Sequence, residues 1–215
     1  MRKASWFIFA IGILYASYLL LLLSLPYLDM RRGVDFLKTK QLIYHLKHWR
    51  FSFYIHVFTS ILIITSGLFQ FSKTILAHYP KVHRISGFVY LITTLAISGP
   101  AALVMSFYAN GGYPAQASFV ILSILWLGST FLAYLYVRKK NYLIHGNWML
   151  RSYALTLSAV SLRLYSYLFD VFHLRMNPVD LYTILSWSSW IPNLIIAEIL
   201  IRKGVIRRLL SSQSG

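Results

Sequence analysis

Cysteine is absent from this chain of 215 residues. Disulfides, thiolate catalysis and iron–sulfur clusters are thereby excluded. Acidic residues are scarce as well: five Asp and Glu stand against 21 Lys and Arg, a formal net charge of +16. So few carboxylates leave little material for oxygen-rich metal sites, or for the paired intramembrane acids of cation-coupled carriers. Charge of either sign makes up only 12% of the chain, roughly half of what a soluble domain carries. There is no phosphate-cradling G-x-x-x-x-G-K, no G-x-S-x-G and no H-E-x-x-H. No inverted repeat relates the two halves, which lowers the odds of a secondary transporter. The basic residues lack the context of a nucleic-acid module, and no nucleic-acid partner is expected.

What is present is apolar. The chain is 58% hydrophobic and 17% aromatic, with a mean hydropathy of +0.61. Such a composition buries itself in lipid rather than in a water-bounded core. Six runs of about 20 residues match the thickness of a bilayer. They cover about Trp6 to Leu25, Phe51 to Phe71, Arg84 to Met105, Ala117 to Tyr136, Trp148 to Phe169 and Leu181 to Ile201. The first ends at Pro26, the third is interrupted by Gly99-Pro100, and Pro192 lies within the sixth. The opening Met-Arg-Lys before an apolar run mimics a signal peptide, but the run is too long and lacks a small-residue cleavage site; it reads as an uncleaved first helix. With the N-terminus inside, twelve Lys and Arg, from Arg2 to Arg208, fall on inner segments and seven, from Arg31 to Arg175, on outer ones. Both termini are therefore expected in the cytoplasm, with the basic segments against anionic lipid headgroups.

The expected fold is all-α: a polytopic bundle of six transmembrane helices with an amphipathic interfacial helix in the first loop. One integral membrane domain, 1–215, divides into a peripheral helix at 6–25, an interfacial segment at 34–49, a polar-cored bundle at 51–201 and a basic tail at 202–215. The interfacial helix rests on Phe36, Ile43, Leu46, Trp49 and Phe53 at roughly helical spacing, with Lys38, Lys40, His45, Lys47 and His48 filling much of the remainder as a solvated basic face.

Three spans carry polar stripes. His56, Thr59, Ser60, Gly67 and Gln70 mark the second, and His83, Gly87, Tyr90, Thr94 and Ser98 the third. The fifth carries His145, Ser152, Thr156, Arg163, Ser166 and Asp170. Most positions are three, four or seven apart, so each stripe occupies one helical face. Hydrocarbon cannot satisfy these groups, and the faces should turn toward one another. At about 1.5 Å rise per residue, two layers result. The outer holds His56, Arg163 and Asp170; the inner holds His83 and His145, with Arg84 and Arg151 near. Blander readings compete. Arg84 and Arg151 can snorkel to headgroups, Glu198 and Arg202 form an i,i+4 pair, Trp187 and Trp190 pack, and His56 can simply be a neutral buried imidazole.

Three runs carry a resemblance: His83-Arg84-x-x-Gly87-x-x-Tyr90, His145-x-x-Trp148-Met149-x-Arg151-Ser152-Tyr153-Ala154, and Trp190-Ile191-Pro192-Asn193-Leu194 followed by Ala197-Glu198. Together they resemble the bacterial membrane family catalogued as domain of unknown function 2306, over about Ser52 to Ile201. The resemblance implies a multi-pass architecture in a bacterial cytoplasmic membrane and brings no activity with it. A looser likeness is to the cytochrome b561 and ferric-reductase group, which holds haem between histidines on alternate helices. That likeness implies haem b between His83 and His145, as cofactor ligands on helices three and five, with Arg84 or Arg151 on a propionate. Helix four offers no histidine to pair with His56. Three functions stay open. One is a haem-b electron-transfer protein with a redox partner or quinone. Another is a non-redox enzyme or carrier in which His56 and Arg163 bind an anionic lipid, a quinone-like molecule or a metal-bound water. The third is an assembly factor whose polar core only fixes packing.

Overall fold

A computed structural model describes residues 3–174 and 176–211. Arg2, Arg175 and residues 212–215 of the basic tail lie outside them. The described chain is helical throughout. The elements are α1 (Lys3–Ser24), α2 (Lys47–Leu68), α3 (Lys73–His78), α4 (Pro80–Ile92), α5 (Gly99–Ser106), α6 (Gly112–Arg138), α7 (Tyr142–Thr156), α8 (Ser158–Val171), α9 (Pro178–Ser188), α10 (Ile191–Arg202) and α11 (Val205–Leu210). Asparagine and proline set several boundaries. The Asn141 side chain caps α7 through the Ile144 amide, and Asn177 caps α9 just ahead of Pro178.

Five helical rods are long and apolar enough to cross a membrane: Trp6–Asp29, Lys47–Phe71, Pro80–Ser106, Gly112–Arg138 and Pro178–Arg202. The expected fifth span departs from this. It is broken at Leu157 into α7 and α8, of 15 and 14 residues, neither alone long enough to cross. The break has a visible cause in Asn193 on α10. Its amide donates to the carbonyl of Ala154, the acceptor an unbroken helix would offer to Ser158, and to Ser161 Oγ beyond the break. A side chain inserted into a helical ladder kinks it.

Two further rods are interrupted. Between α4 and α5, Thr93–Ser98 form a π-helical turn just before Gly99 and Pro100. A Cβ on Gly99 would stand 2.3 Å from the Thr94 carbonyl, so this turn requires glycine. Between α9 and α10 the chain turns at Trp190, whose indole N–H donates to Ser118 Oγ on α6.

The core lies where α2, α4, α6 and α7 meet, around Ile63, Ile64, Leu68, Tyr90, Trp126, Met149, Tyr153 and Leu155. Gly67 lets the Tyr153 ring approach α2; a Cβ there would meet that ring at 2.5 Å. α1 lies at the edge of the bundle against α2, largely exposed, as its uniform apolarity predicts.

The first loop differs from expectation. Instead of an amphipathic helix over 34–49, a 3₁₀ turn at Asp35–Lys40 and further turns fold over the end of the bundle, and α2 starts only at Lys47. Leu37 and Tyr44 sink into a second apolar cluster with Tyr27, Trp49 and Phe53. The apolar spacing that suggested one surface helix is divided between this cap and the first turns of α2. The cap also buries Lys40, which the sequence places on a solvated face.

Candidate functional site

Two polar layers exist, at opposite ends of the bundle. The layer under the first loop surrounds a cavity of about 390 Å³, within the range of ~300–1,000 Å³ typical of small-molecule sites. His56 of α2 and Arg163 of α8 both line it, as the sequence places them in one layer. Asp170 does not join them. It is exposed, and among the described residues it forms no ion pair with Arg163. Much of the wall is apolar, including Leu20 and Leu23 of α1, Ile63 and Ile64 of α2, and Leu122 of α6. Leu23, Arg163 and Ser166 are lining residues that are also exposed, so the cavity opens between α1 and α8.

The interrupted helices converge on this cavity. His56 Nδ1 lies 3.0 Å from Ser98 Oγ and 3.3 Å from the Ser98 carbonyl, at the end of the π-helical turn. The Ser98 hydroxyl can donate to Nδ1, or Nδ1–H can donate to the carbonyl. The remaining ring nitrogen is then a donor in the first case and an acceptor in the second. Thr156 and Ser158 flank the α7–α8 break and line the cavity, as does Ser189 beside the α9–α10 turn. Irregular backbone at membrane depth is tolerated where protein or a cavity satisfies it, and π-bulges gather at functional sites.

Lys40 is the residue that sequence reasoning assigned elsewhere. It is 4% exposed and lines the same cavity. Its ammonium donates to the Tyr108 carbonyl and, at 2.5 Å, to Asn110 Oδ1 on the α5–α6 connection. Burial brings its pKa down from 10.5 to about 8. No signal in the sequence marks it, because its neighbours Lys38 and Thr39 are exposed.

Behind the cavity wall runs a buried hydroxyl cluster. Trp126 Nε1–H donates to Thr156 Oγ1, and Tyr90 OH lies 2.8 Å from that oxygen and 2.6 Å from Ser152 Oγ. Thr130 Oγ1 stands 2.7 Å from Ser152 Oγ. This cluster joins the third and fifth stripes through Tyr90, Ser152 and Thr156 and adds Trp126 and Thr130 from α6, while the second stripe meets the third at His56 and Ser98. Such a network, fully paired, fixes helix packing at a depth where unpaired groups are costly.

The layer at the other end holds His83 and His145, near enough for their charges to interact. His145 Nδ1 faces the Ala133 carbonyl at 2.8 Å. A carbonyl only accepts, so Nδ1 carries the proton and Nε2 is the free, basic nitrogen. His83 Nδ1 is buried and has no hydrogen-bond partner. The orienting bond on His145 is of the kind that metal-ligating imidazoles use. The expected arginines are placed differently. Arg84 is exposed. Arg151 grips Glu198 with Nε and Nη2, at 2.5 and 3.0 Å, and lies 4.5 Å over the Trp148 ring. Arg151 is thus already paired, and Glu198 binds it in preference to Arg202 one turn along. Among the described residues no group of three or more His, Asp and Glu gathers to hold a metal ion, and a metal-bound water at His56 would need such a set.

The motifs at His83, His145 and Trp190 lie inside a sequence match to the predicted membrane protein family DUF2306, over residues 53–201. The chain belongs to that family. The DUF2306 segment includes both histidine layers and all three helix interruptions, whereas Lys40 and α1 precede it. No curated protein and no solved structure matches the chain.

Proposed function

We propose that this DUF2306 protein binds an amphiphilic small molecule of the bilayer in the cavity lined by His56 and Arg163. The observation that carries the reading is that two helix breaks line one largely apolar cavity opening between α1 and α8, and a third, at Ser98, bonds the imidazole inside it. Interrupted helices at a midplane site are a recurrent way to present polar groups to a membrane-borne ligand. His56 hydrogen-bonds the polar end, and the leucine and isoleucine wall receives the tail. In this reading α7 and α8 cross the membrane together as a sixth span, with the basic α11 end cytoplasmic. The direct test is extraction and mass spectrometry of small molecules that co-purify with the protein. Ala102→Trp, which fills the cavity from α5, should release the bound species. Wild-type protein that carries none, and takes up none when supplied, counts against the proposal.

The second reading is haem b between His83 and His145, favoured by one observation: a buried imidazole nitrogen without a partner beside a histidine oriented by a carbonyl. Haem bound there would make the protein an electron carrier. Neither proposed propionate partner fits well, since Arg151 is engaged by Glu198 and Arg84 faces outward. A visible spectrum before and after dithionite decides it. A Soret band lost in both His83→Ala and His145→Ala supports haem. A colourless preparation after growth with supplied haem removes it.

A further inference from the structure

The cavity holds two cations and no acid. Lys40 and Arg163 both line it, and no Asp or Glu does. Among the described residues neither cation has a carboxylate within ion-pair distance. Elsewhere in the bundle the chain does pair a cation, as Arg151 shows with Glu198. An ammonium removed from water with no counter-ion is costly, and Lys40 has only neutral protein acceptors, the Tyr108 carbonyl and Asn110 Oδ1. These take two of its three N–H groups. The Phe36 ring lies 5.4 Å from the ammonium, and both residues line the cavity. Arg163 meets the cavity from the other side, at its exposed mouth on α8.

We infer that the cavity takes an anionic amphiphile from the bilayer, with a carboxylate or phosphate head held between Lys40 and Arg163 and an acyl or isoprenoid tail along the leucine-lined opening between α1 and α8. This rests on the amphiphile-binding reading above and adds the charge of the ligand and a residue of the first loop to the site. The path of entry follows from packing. α8 contains no buried residue and is set off from α7 by the break at Leu157, while α1 sits at the edge of the bundle. A tail enters sideways between them without unfolding the core. The first loop serves as the roof: it carries Lys40 and is tied to the α5–α6 connection by the Asn110–Thr39 bond and by the two bonds of Lys40 itself.

The test is native mass spectrometry of the full chain in non-ionic detergent, titrated with oleic acid, oleoyl lysophosphatidic acid, neutral monoolein and inorganic phosphate. Wild-type protein should bind one oleate or lysophosphatidate at concentrations roughly 10- to 100-fold below monoolein, the range of charge-assisted hydrogen bonds. Lys40→Met and Arg163→Met should each bring the anionic probes toward the monoolein value, Arg163→Lys should keep most of the preference, and Ala102→Trp should abolish binding of every amphiphile. Size-exclusion profiles identify any variant that fails to fold, and the preference of wild-type protein for oleate over monoolein then carries the comparison. Equal binding of oleate and monoolein that Ala102→Trp still removes overturns the anion assignment and leaves the cavity proposal intact. Absence of any binding sensitive to Ala102→Trp overturns both. Displacement of oleate by inorganic phosphate at similar concentrations overturns the assignment to a bilayer amphiphile in favour of a soluble anion.

Discussion

Lys40 is a charge kept out of water by a loop, and it leaves a signature in the pH dependence of stability. In the unfolded chain its amine holds a proton to about 10.5, and in the folded protein to about 8. Between those values the unfolded chain binds more protons, so stability rises with pH across that window, and the burial cost is present in full below it. Its contacts are the Tyr108 carbonyl, Asn110 Oδ1 and the Phe36 ring; Tyr27, His56 and Arg163 line the same cavity, and Asp35 starts the same turn. The difference in thermal midpoint between wild type and Lys40→Met should therefore change in favour of wild type from pH 8 to pH 10. A difference that stays flat over that range would place Lys40 in water. Arg151 poses a different problem. Its bidentate bond to Glu198 and its seat over Trp148 depend on a planar guanidinium. Arg151→Lys should lose thermal stability nearly as Arg151→Ala does, by about 1 kcal/mol for a part-exposed pair. Full rescue by lysine would reduce the interaction to simple charge.

At the scale of elements, the breaks are built by side chains. Asn193 connects α10 to both sides of the α7–α8 interruption, through the Ala154 carbonyl and Ser161 Oγ. Asn193→Leu should leave both without their partner and cost about 1–3 kcal/mol. Hydrogen exchange should then slow at the Ser158 amide as α7 and α8 join into one ladder. Unchanged exchange at that amide would mean that the break has another cause. Close packing sets a second expectation. Gly67→Ala forces a methyl against the Tyr153 ring, which is held in place by its own bond to the Ile64 carbonyl. A loss of about 1–3 kcal/mol follows from overpacking, measured as a lower thermal midpoint in detergent. Tyr153→Phe frees the ring from that bond and should soften the effect of the alanine.

For the whole molecule, the absence of cysteine offers a direct test of topology. Single cysteines at Leu42 and Tyr113, exposed by 90% and 88%, belong to the first-loop end; cysteines at Lys140 and Lys203 belong to the end bearing α11. In intact cells a membrane-impermeant maleimide should label the first pair and spare the second. Labelling of 42 and 140 from the same side would mean that α6 does not cross with α2 and α4 as neighbours. The five rods were legible as apolar runs of bilayer length, because lipid selects residues one at a time by their transfer cost. His56 and Arg163 were legible as lining one layer, since they stand out against apolar neighbours, whereas Asp170, Arg84 and Arg151, which their sequence positions assign to the layers, do not join them. The α7–α8 break was not legible, because the residue that makes it sits on another helix.

Composition and span length belong to the sequence alone, since they depend on each residue's solvation and on the fixed rise of a helix. Burial of Lys40, disengagement of Asp170 from Arg163, the capture of Arg151 by Glu198, and the meeting of two helix breaks at the wall of one cavity belong to the tertiary structure. Each of these rests on a partner far away in the chain, and no local pattern encodes which distant group will satisfy a buried charge.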